Sequence, residues 1–463
     1  MSQIPRRRFV QAAGAAIATG ALGQGVHASI RRGNPGRLIR NVIFLVSDGM
    51  STGTLTLAED VHKARTGQST NWVKLFSEPS ARRAVCRTEA ADSAVTDSAA
   101  AGSAWGIGKK VNNGVINITP DGAEHEPILV TARNAGLATG LVTTTRVTHA
   151  TPAAFVANVP ARNLENGIAE QMIERHVDVI LGGGAKHFPD ALLAPHDDIH
   201  VVRNRNDLLG ASADARGRLL GLFAESHVPY ALDREASVPS LAEMTRVGLD
   251  RLSRRGGFVL QVEGGRVDHA AHANDAGALV ADQLDFDEAI GVAINFAREH
   301  RDTLVIVTTD HGNANPGLTL YGQAGNDGLA RLGHAKRSFE WLMERLGSDD
   351  AWRTSPRRLR ELIAEMTGGI ELPDADLEWL EQGLVRRERV DGFWPRSRDP
   401  NCVLGSVLAN YYGVSFLSPN HTSDLVEVTA IGPGSELIAP MIDNTDLHEL
   451  LRLAVSQSAR TSG

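Results

Sequence analysis

Cysteine is nearly missing from this 463-residue chain: only Cys86 and Cys402 occur. They are far apart and lie in no CxxC or lipobox context, so they define no disulfide framework, thiolate metal site or lipid anchor. Aromatic residues are also scarce, at 5%. The interior must therefore be built from aliphatic residues, Ala and Gly, which suits close packing of helices on a sheet. No apolar run reaches the roughly 18 residues that a membrane span requires. Basic residues do not dominate either, and a formal net charge of −8 leaves no electrostatic footprint for a nucleic acid. The length allows one large core, or a core with an inserted lobe.

The first 28 residues read as an export signal. Pro5-Arg6-Arg7-Arg8-Phe9-Val10-Gln11 precedes a weakly apolar Ala/Gly segment that ends in Val26-His27-Ala28, an order of basic, apolar, then small-x-small. Arg6-Arg7, one further residue, Phe9 and an apolar residue also match the twin-arginine pattern. This predicts a periplasmic or secreted protein whose folded part is 29–463.

Strand-length apolar runs recur at 41–46, 140–143, 177–181, 258–262 and 303–308, with helical patterns between them. Runs apolar on both faces suit a parallel sheet covered on both sides. The expected fold is therefore α/β, a three-layer sandwich with a central, mostly parallel β-sheet flanked by helices. Residues 276–300 predict a long helix. From about 320 to 418 the chain turns rich in Arg, Glu, Trp and Leu at helical spacing, notably 339–346 and 359–366, and reads as a mainly helical insertion. A strand pattern returns at 424–429.

Acidic and His residues gather where strands end, the place where open α/β sheets bind ligands. Asp48 follows the first run. Glu263, Asp268, His269 and His272 follow the fourth, and Asp310-His311 follows the fifth. Asp268 and His272 are four apart, so one helical turn brings both to one metal. His269 reads equally as a ligand, a substrate-facing group or a solvated side chain. Together these donors suffice for two or three divalent ions, mixed His/carboxylate sets suiting Zn²⁺ and oxygen-only sets Mg²⁺. Two zinc ions about 4 Å apart clamp an in-line phosphoryl displacement. Val95-Thr96-Asp97-Ser98 opens an Ala/Gly helix. It reads as a simple cap or as a nucleophile at an anion-favouring helix terminus. Arg162 is a candidate guanidinium fork for phosphate oxygens.

With these motifs in this order, the chain resembles the metal-dependent alkaline phosphatase family. The residues that carry the resemblance are Asn41 to Met50, Thr96-Asp97-Ser98-Ala99-Ala100, Thr148-His149-Ala150-Thr151-Pro152, Val262-Glu263-Gly264 to His272, Thr309-Asp310-His311-Gly312, His421-Thr422 and Gly432-Pro433-Gly434. The 320–418 segment lies outside it. The resemblance implies hydrolysis of small-molecule phosphomonoesters, with Ser98 as a transiently phosphorylated nucleophile and Asp97 bonding the phosphate-binding Arg162. It implies a first zinc on Asp268, His272 and His421, and a second on Asp48, Asp310 and His311. Asp48, Thr151 and Glu263 would hold one Mg²⁺. His149 and His269 match the vertebrate members, where well-known bacterial ones carry Asp and Lys. They are expected beside the third metal and the phosphate, and the third site is expected to exchange Mg²⁺ readily. A homodimer is the common family assembly. Two rivals follow from the same residues. One is a phosphodiesterase, phosphomutase or sulfatase of the superfamily, and no C/S-x-P-x-R sulfatase motif follows Cys86 or Ser98. The other is a non-catalytic phosphate-binding protein, which should have lost Ser98, Arg162 or a ligand.

Overall fold

The computed structural model describes residues 38–211, 217–348, 356–385 and 400–459; the export-signal reading falls outside them. In chain order the strands are β1 (Asn41–Ser47), β2 (Arg82–Arg87), β3 (Ala138–Arg146), β4 (Val179–Gly183), β5 (Ile199–Val202), β6 (Arg218–Leu222) and β7 (Phe258–Gly264). They continue as β8 (Thr303–Thr308), β9 (Gly312–Asn313), β10 (Gly317–Leu318), β11 (Val414–Ser415), β12 (His421–Thr422), β13 (Val426–Ile431) and β14 (Met441–Asp443). Ten of them form one sheet in the order β14-β2-β13-β8-β1-β7-β3-β4-β6-β5. Every neighbouring pair is parallel except the two that β13 makes.

The layers can be read from β1, all of whose residues are buried. Val42, Phe44 and Val46 pack into one cluster with Trp105 and Phe155. Ile43 and Leu45, on the opposite face, pack with Phe286 and Ile290 of the 276–299 helix. Alternate side chains of a strand point to opposite faces, so helices must cover both. A third cluster joins the helices 339–348, 356–367, 374–380 and 400–412 to Leu57, Val61, Ala276 and Val280. The described residues between β10 and β11 are thus mainly helical and sit against the sandwich through the 52–66 and 276–299 helices.

The Ala/Gly run after Ser98 becomes a helix, Ser98–Ile107, with every residue buried. It crosses the short helix Ala150–Ala154 so closely that a Cβ on Gly106 would lie 2.1 Å from the Ala154 carbonyl oxygen. Small residues are what allow the approach. Cys86 is buried in β2 and Cys402 in the 400–412 helix. Among the described residues no helix is long and apolar enough to cross a membrane.

Candidate active site

The four central strands deliver their chemistry at one end of the sheet. Asp48 leaves β1, Glu263 lies near the end of β7, and Asp310 and His311 leave β8; all four are fully buried. Register places Val46 beside both Glu263 and Thr308, so these strand ends are level. Thr151 lies just beyond β3 in the 150–154 helix, buried, with its hydroxyl 3.4 Å from Asp48 Oδ2. The helix Arg266–His272 sets Asp268 Oδ2 3.3 Å from His272 Nε2, as its four-residue spacing requires. His421 arrives across the helical segment because β12 pairs antiparallel with β9, register His421↔Asn313.

Ser98 is the first residue of its helix and 2% exposed; its hydroxyl lies 3.4 Å from His311 Nε2. The same Nε2 is 3.2 Å from Asp310 Oδ2 and 3.7 Å from Asp48 Oδ1. Asp97 does two things. One oxygen caps the helix by accepting from Ala100 N–H at 2.9 Å, and the other accepts from Gly114 N–H and Arg162 Nη1, each at 3.0 Å. Cap and tether therefore coexist in one carboxylate. Arg162 also donates from Nη2 to His149 Nε2 at 3.0 Å.

Several buried atoms here have no hydrogen-bond partner among the described residues: Asp48 Oδ1, Asp310 Oδ2, Glu263 Oε1, His311 Nδ1 and His149 Nδ1. Buried polar atoms are normally satisfied. These residues stand in groups of metal-ligand spacing, Asp48 with Asp310 and His311 and Asp48 with His149 and Glu263, and a third group joins Asp268 with His311 and His421. His272 and His421 point the same way. Their Nδ1 atoms bond to the Pro419 and Thr96 carbonyls at 2.6 and 2.9 Å, while their Nε2 atoms lie only 3.0 Å apart. Two imidazole nitrogens that close need a proton or a cation between them. The donor set fits divalent cations.

These positions now meet known proteins. The sequence profile described as alkaline phosphatase matches residues 39–457. Alkaline phosphatase 3 of Bacillus subtilis is 30% identical over 456 residues, covering 93% of this chain and 92% of its own. Alkaline phosphatase of Escherichia coli is 31% identical over 368 residues, 63% of this chain and 76% of its own. The crystal structure of Thermus thermophilus alkaline phosphatase superposes with a TM-score of 0.86 at 34% identity, covering 95% of this chain and 96% of that one. The chain belongs to the alkaline phosphatase family. As a family member it is a phosphomonoesterase, and its donor clusters together with the family point to dependence on metal ions.

The electrostatics of this alkaline phosphatase site follow from burial. Burial, then the carboxylates of Asp310, Asp268 and Glu263, push Asp48 well above the usual carboxylate range. Burial also lifts Glu263 to about 7, against the hydroxyls of Thr143, Thr151 and Thr145. Asp268 moves the other way: burial opposes it, but His272, His421 and His311 hold it well below the ordinary range. In turn His272, despite burial, is pushed up to about 9 by Asp268. Burial, then Arg162 and His269, keep His149 well below its ordinary value.

Glu263 lies with Asp48 in one cluster, and His149, expected beside the third metal, stands among that cluster's donors. Other residues support these groups, and of them Thr143, Thr145 and His227 escaped the sequence reading. Thr143 and Thr145 both donate to Glu263 Oε2, Thr145 at 3.1 Å. Asn313 donates to Asp268 Oδ1 at 2.7 Å. His227 packs its ring 4.4 Å from that of His269 and 5.9 Å from that of His149. A Thr-Thr-Thr run at a strand end was the available signal for the first pair; His227 had none.

Proposed function

We propose that this phosphomonoesterase is an exported enzyme that hydrolyses small phosphomonoesters through a phosphoserine intermediate on Ser98. One observation carries the reading: the Ser98 hydroxyl, Asp48, Asp310 and His311 converge at the buried end of the sheet, with Arg162 tethered beside them by Asp97. Asp268, His272 and His421 would hold one zinc, Asp48, Asp310 and His311 a second, and Asp48, Thr151 and Glu263 a magnesium. When bound, these ions supply positive charge that favours the Ser98 alkoxide and screens phosphoryl oxygens.

The remaining roles belong to the chain. Arg162 holds two phosphoryl oxygens through its fork, kept in place by Asp97 and His149. The terminus of the 98–107 helix, where Ala100 N–H is already taken by Asp97, offers its remaining N–H groups to the same anion. Ser98 Oγ gives up its proton and bonds to phosphorus as the bond from phosphorus to the ester oxygen breaks, and the leaving oxygen takes up a proton to depart as the alcohol. Water then attacks the phosphoserine, releasing inorganic phosphate and restoring the hydroxyl. Export rests on the Arg6-Arg7 segment.

The test is release of p-nitrophenol from p-nitrophenyl phosphate, beside the diester bis-(p-nitrophenyl) phosphate. Turnover of the monoester that disappears with EDTA and in Ser98→Ala supports the reading. An undiminished rate in Ser98→Ala sinks the nucleophile. Preference for the diester favours the phosphodiesterase reading, and no turnover of either ester favours a non-catalytic phosphate binder.

A further inference from the structure

Three residues before His269, Arg266 meets three partners. Its Nη1 donates to His269 Nδ1 at 2.9 Å, its Nη2 donates to Glu340 Oε2 at 2.6 Å, and its guanidinium carbon stands 3.7 Å from the centre of the Tyr230 ring. The Arg266 side chain is 4% exposed, whereas that of Glu340 is 52% exposed. A buried guanidinium must be paired, and Glu340 is the carboxylate that pairs it. Glu340 belongs to the 339–348 helix, outside the α/β sandwich. The start of that helix is fastened to the same region twice more. Ser338 N–H donates to Asp233 at 3.2 Å, and Phe339 N–H donates to Asp275 at 2.6 Å.

A guanidinium only donates, so His269 Nδ1 accepts and the imidazole proton resides on Nε2. Were Nδ1 protonated, two donors would face each other at 2.9 Å with no acceptor. The His269 ring lies 5.7 Å from the ring of His149, which itself accepts from Arg162. His269 thus sits on the side where Arg162 would meet phosphate.

We propose that Glu340 and Arg266 are positioning residues that lock His269 in its Nε2–H tautomer, as a neutral hydrogen-bond donor to the bound phosphoryl group. The helical segment then reaches the substrate phosphate through one ion pair, Glu340 on Arg266. This rests on the reading that phosphate binds between Ser98 and Arg162.

A double-mutant cycle on phosphate binding separates this from simple structural support. Inorganic phosphate is titrated by calorimetry into the metal-loaded full chain, its Glu340→Gln and His269→Ala variants, and the double variant. Because Glu340 is half exposed, its replacement leaves no buried cavity. Glu340→Gln should weaken phosphate binding by about 3- to 10-fold, and in the His269→Ala background it should weaken it no further. Arg266→Lys, which keeps the charge but loses the fork, should show the same coupling. An unchanged affinity in Glu340→Gln, or an equal loss in both backgrounds, overturns the proposal. The readout needs no turnover, so a protein that binds phosphate but hydrolyses no ester would sink the proposed function while the cycle still decides this inference.

Discussion

Replacing Asp97 by Asn separates the two tasks of one carboxylate. The cap, from Asp97 to Ala100 N–H at 2.9 Å, survives because the amide keeps one carbonyl oxygen. The tether does not. An NH₂ group would face Gly114 N–H and Arg162 Nη1, both of which now donate at 3.0 Å. With Asp97 and Arg162 side chains 20% and 29% exposed, partial screening sets the lost charge-assisted bond at about 1–2 kcal/mol. Among the described residues the Arg162 guanidinium then keeps only His149 Nε2 as a hydrogen-bond partner. If that loss is felt in phosphate binding, KM and the inhibition constant of inorganic phosphate rise by about 5- to 30-fold. Asp97→Ala removes the cap as well and should cost about 1 kcal/mol more in stability. The assay is steady-state hydrolysis of p-nitrophenyl phosphate with phosphate inhibition, beside urea unfolding of both variants. A KM in Asp97→Asn that stays within about twofold of the parent would refute the tether. Equal unfolding midpoints for Asn and Ala would refute the cap.

Further predictions concern the carboxylates and the backbone around them. In metal-free protein Asp48 and Glu263 carry raised pKa values, so they favour the fold while protonated. That stability is fully present below the unfolded carboxylate range, about pH 4. It drains away as pH rises through about 7 for Glu263. The thermal midpoint of stripped protein should therefore fall over this window and recover on adding metal; a flat profile contradicts it. Gly49 has φ +66°, and a Cβ there would lie 2.4 Å from Asp268 Oδ1. Gly49→Ala should cost about 1–2 kcal/mol from the left-handed backbone alone and, by displacing Asp268, lower zinc content, read by elemental analysis after dialysis. His149→Asp adds a carboxylate to the Asp48 and Glu263 group. Its magnesium should survive dialysis better and its rate respond less to added Mg²⁺; an unchanged Mg²⁺ titration argues against a third site there.

How much of this was legible beforehand depends on how local the signal is. The both-faces-buried strands β1, β7 and β8 read as apolar runs, and their exits carried Asp48, Glu263, Asp310 and His311 in plain view. Asp268 and His272 were readable because helical spacing is a local rule. Weaker strands were not readable. β2 sets buried Ala84 and Cys86 among exposed Arg82, Arg83, Val85 and Arg87, β5 is four residues with only Val202 buried, and β6 opens with a buried Arg218 that bonds to Asp198. His421 came only through the family resemblance, because the chain between it and Asp310 runs through the helices from 322 to 412. The Glu340–Arg266–His269 relay and His227 were beyond any local pattern, since packing from distant segments creates them. Asp97 shows the middle case. Its cap followed from position next to an Ala-rich helix, whereas its bond to Arg162 spans 65 residues.

The measurement that bears most directly on the account is the fate of the transferred phosphoryl group. Metal-loaded protein mixed with a phosphomonoester and quenched in acid within its first turnovers should carry one phosphoryl group, and peptide mapping should place it on Ser98. The label should vanish on standing with excess enzyme and be lacking in Ser98→Ala. Steady hydrolysis with no trapped phosphoprotein at any quench time, or a label on another residue, would contradict the account.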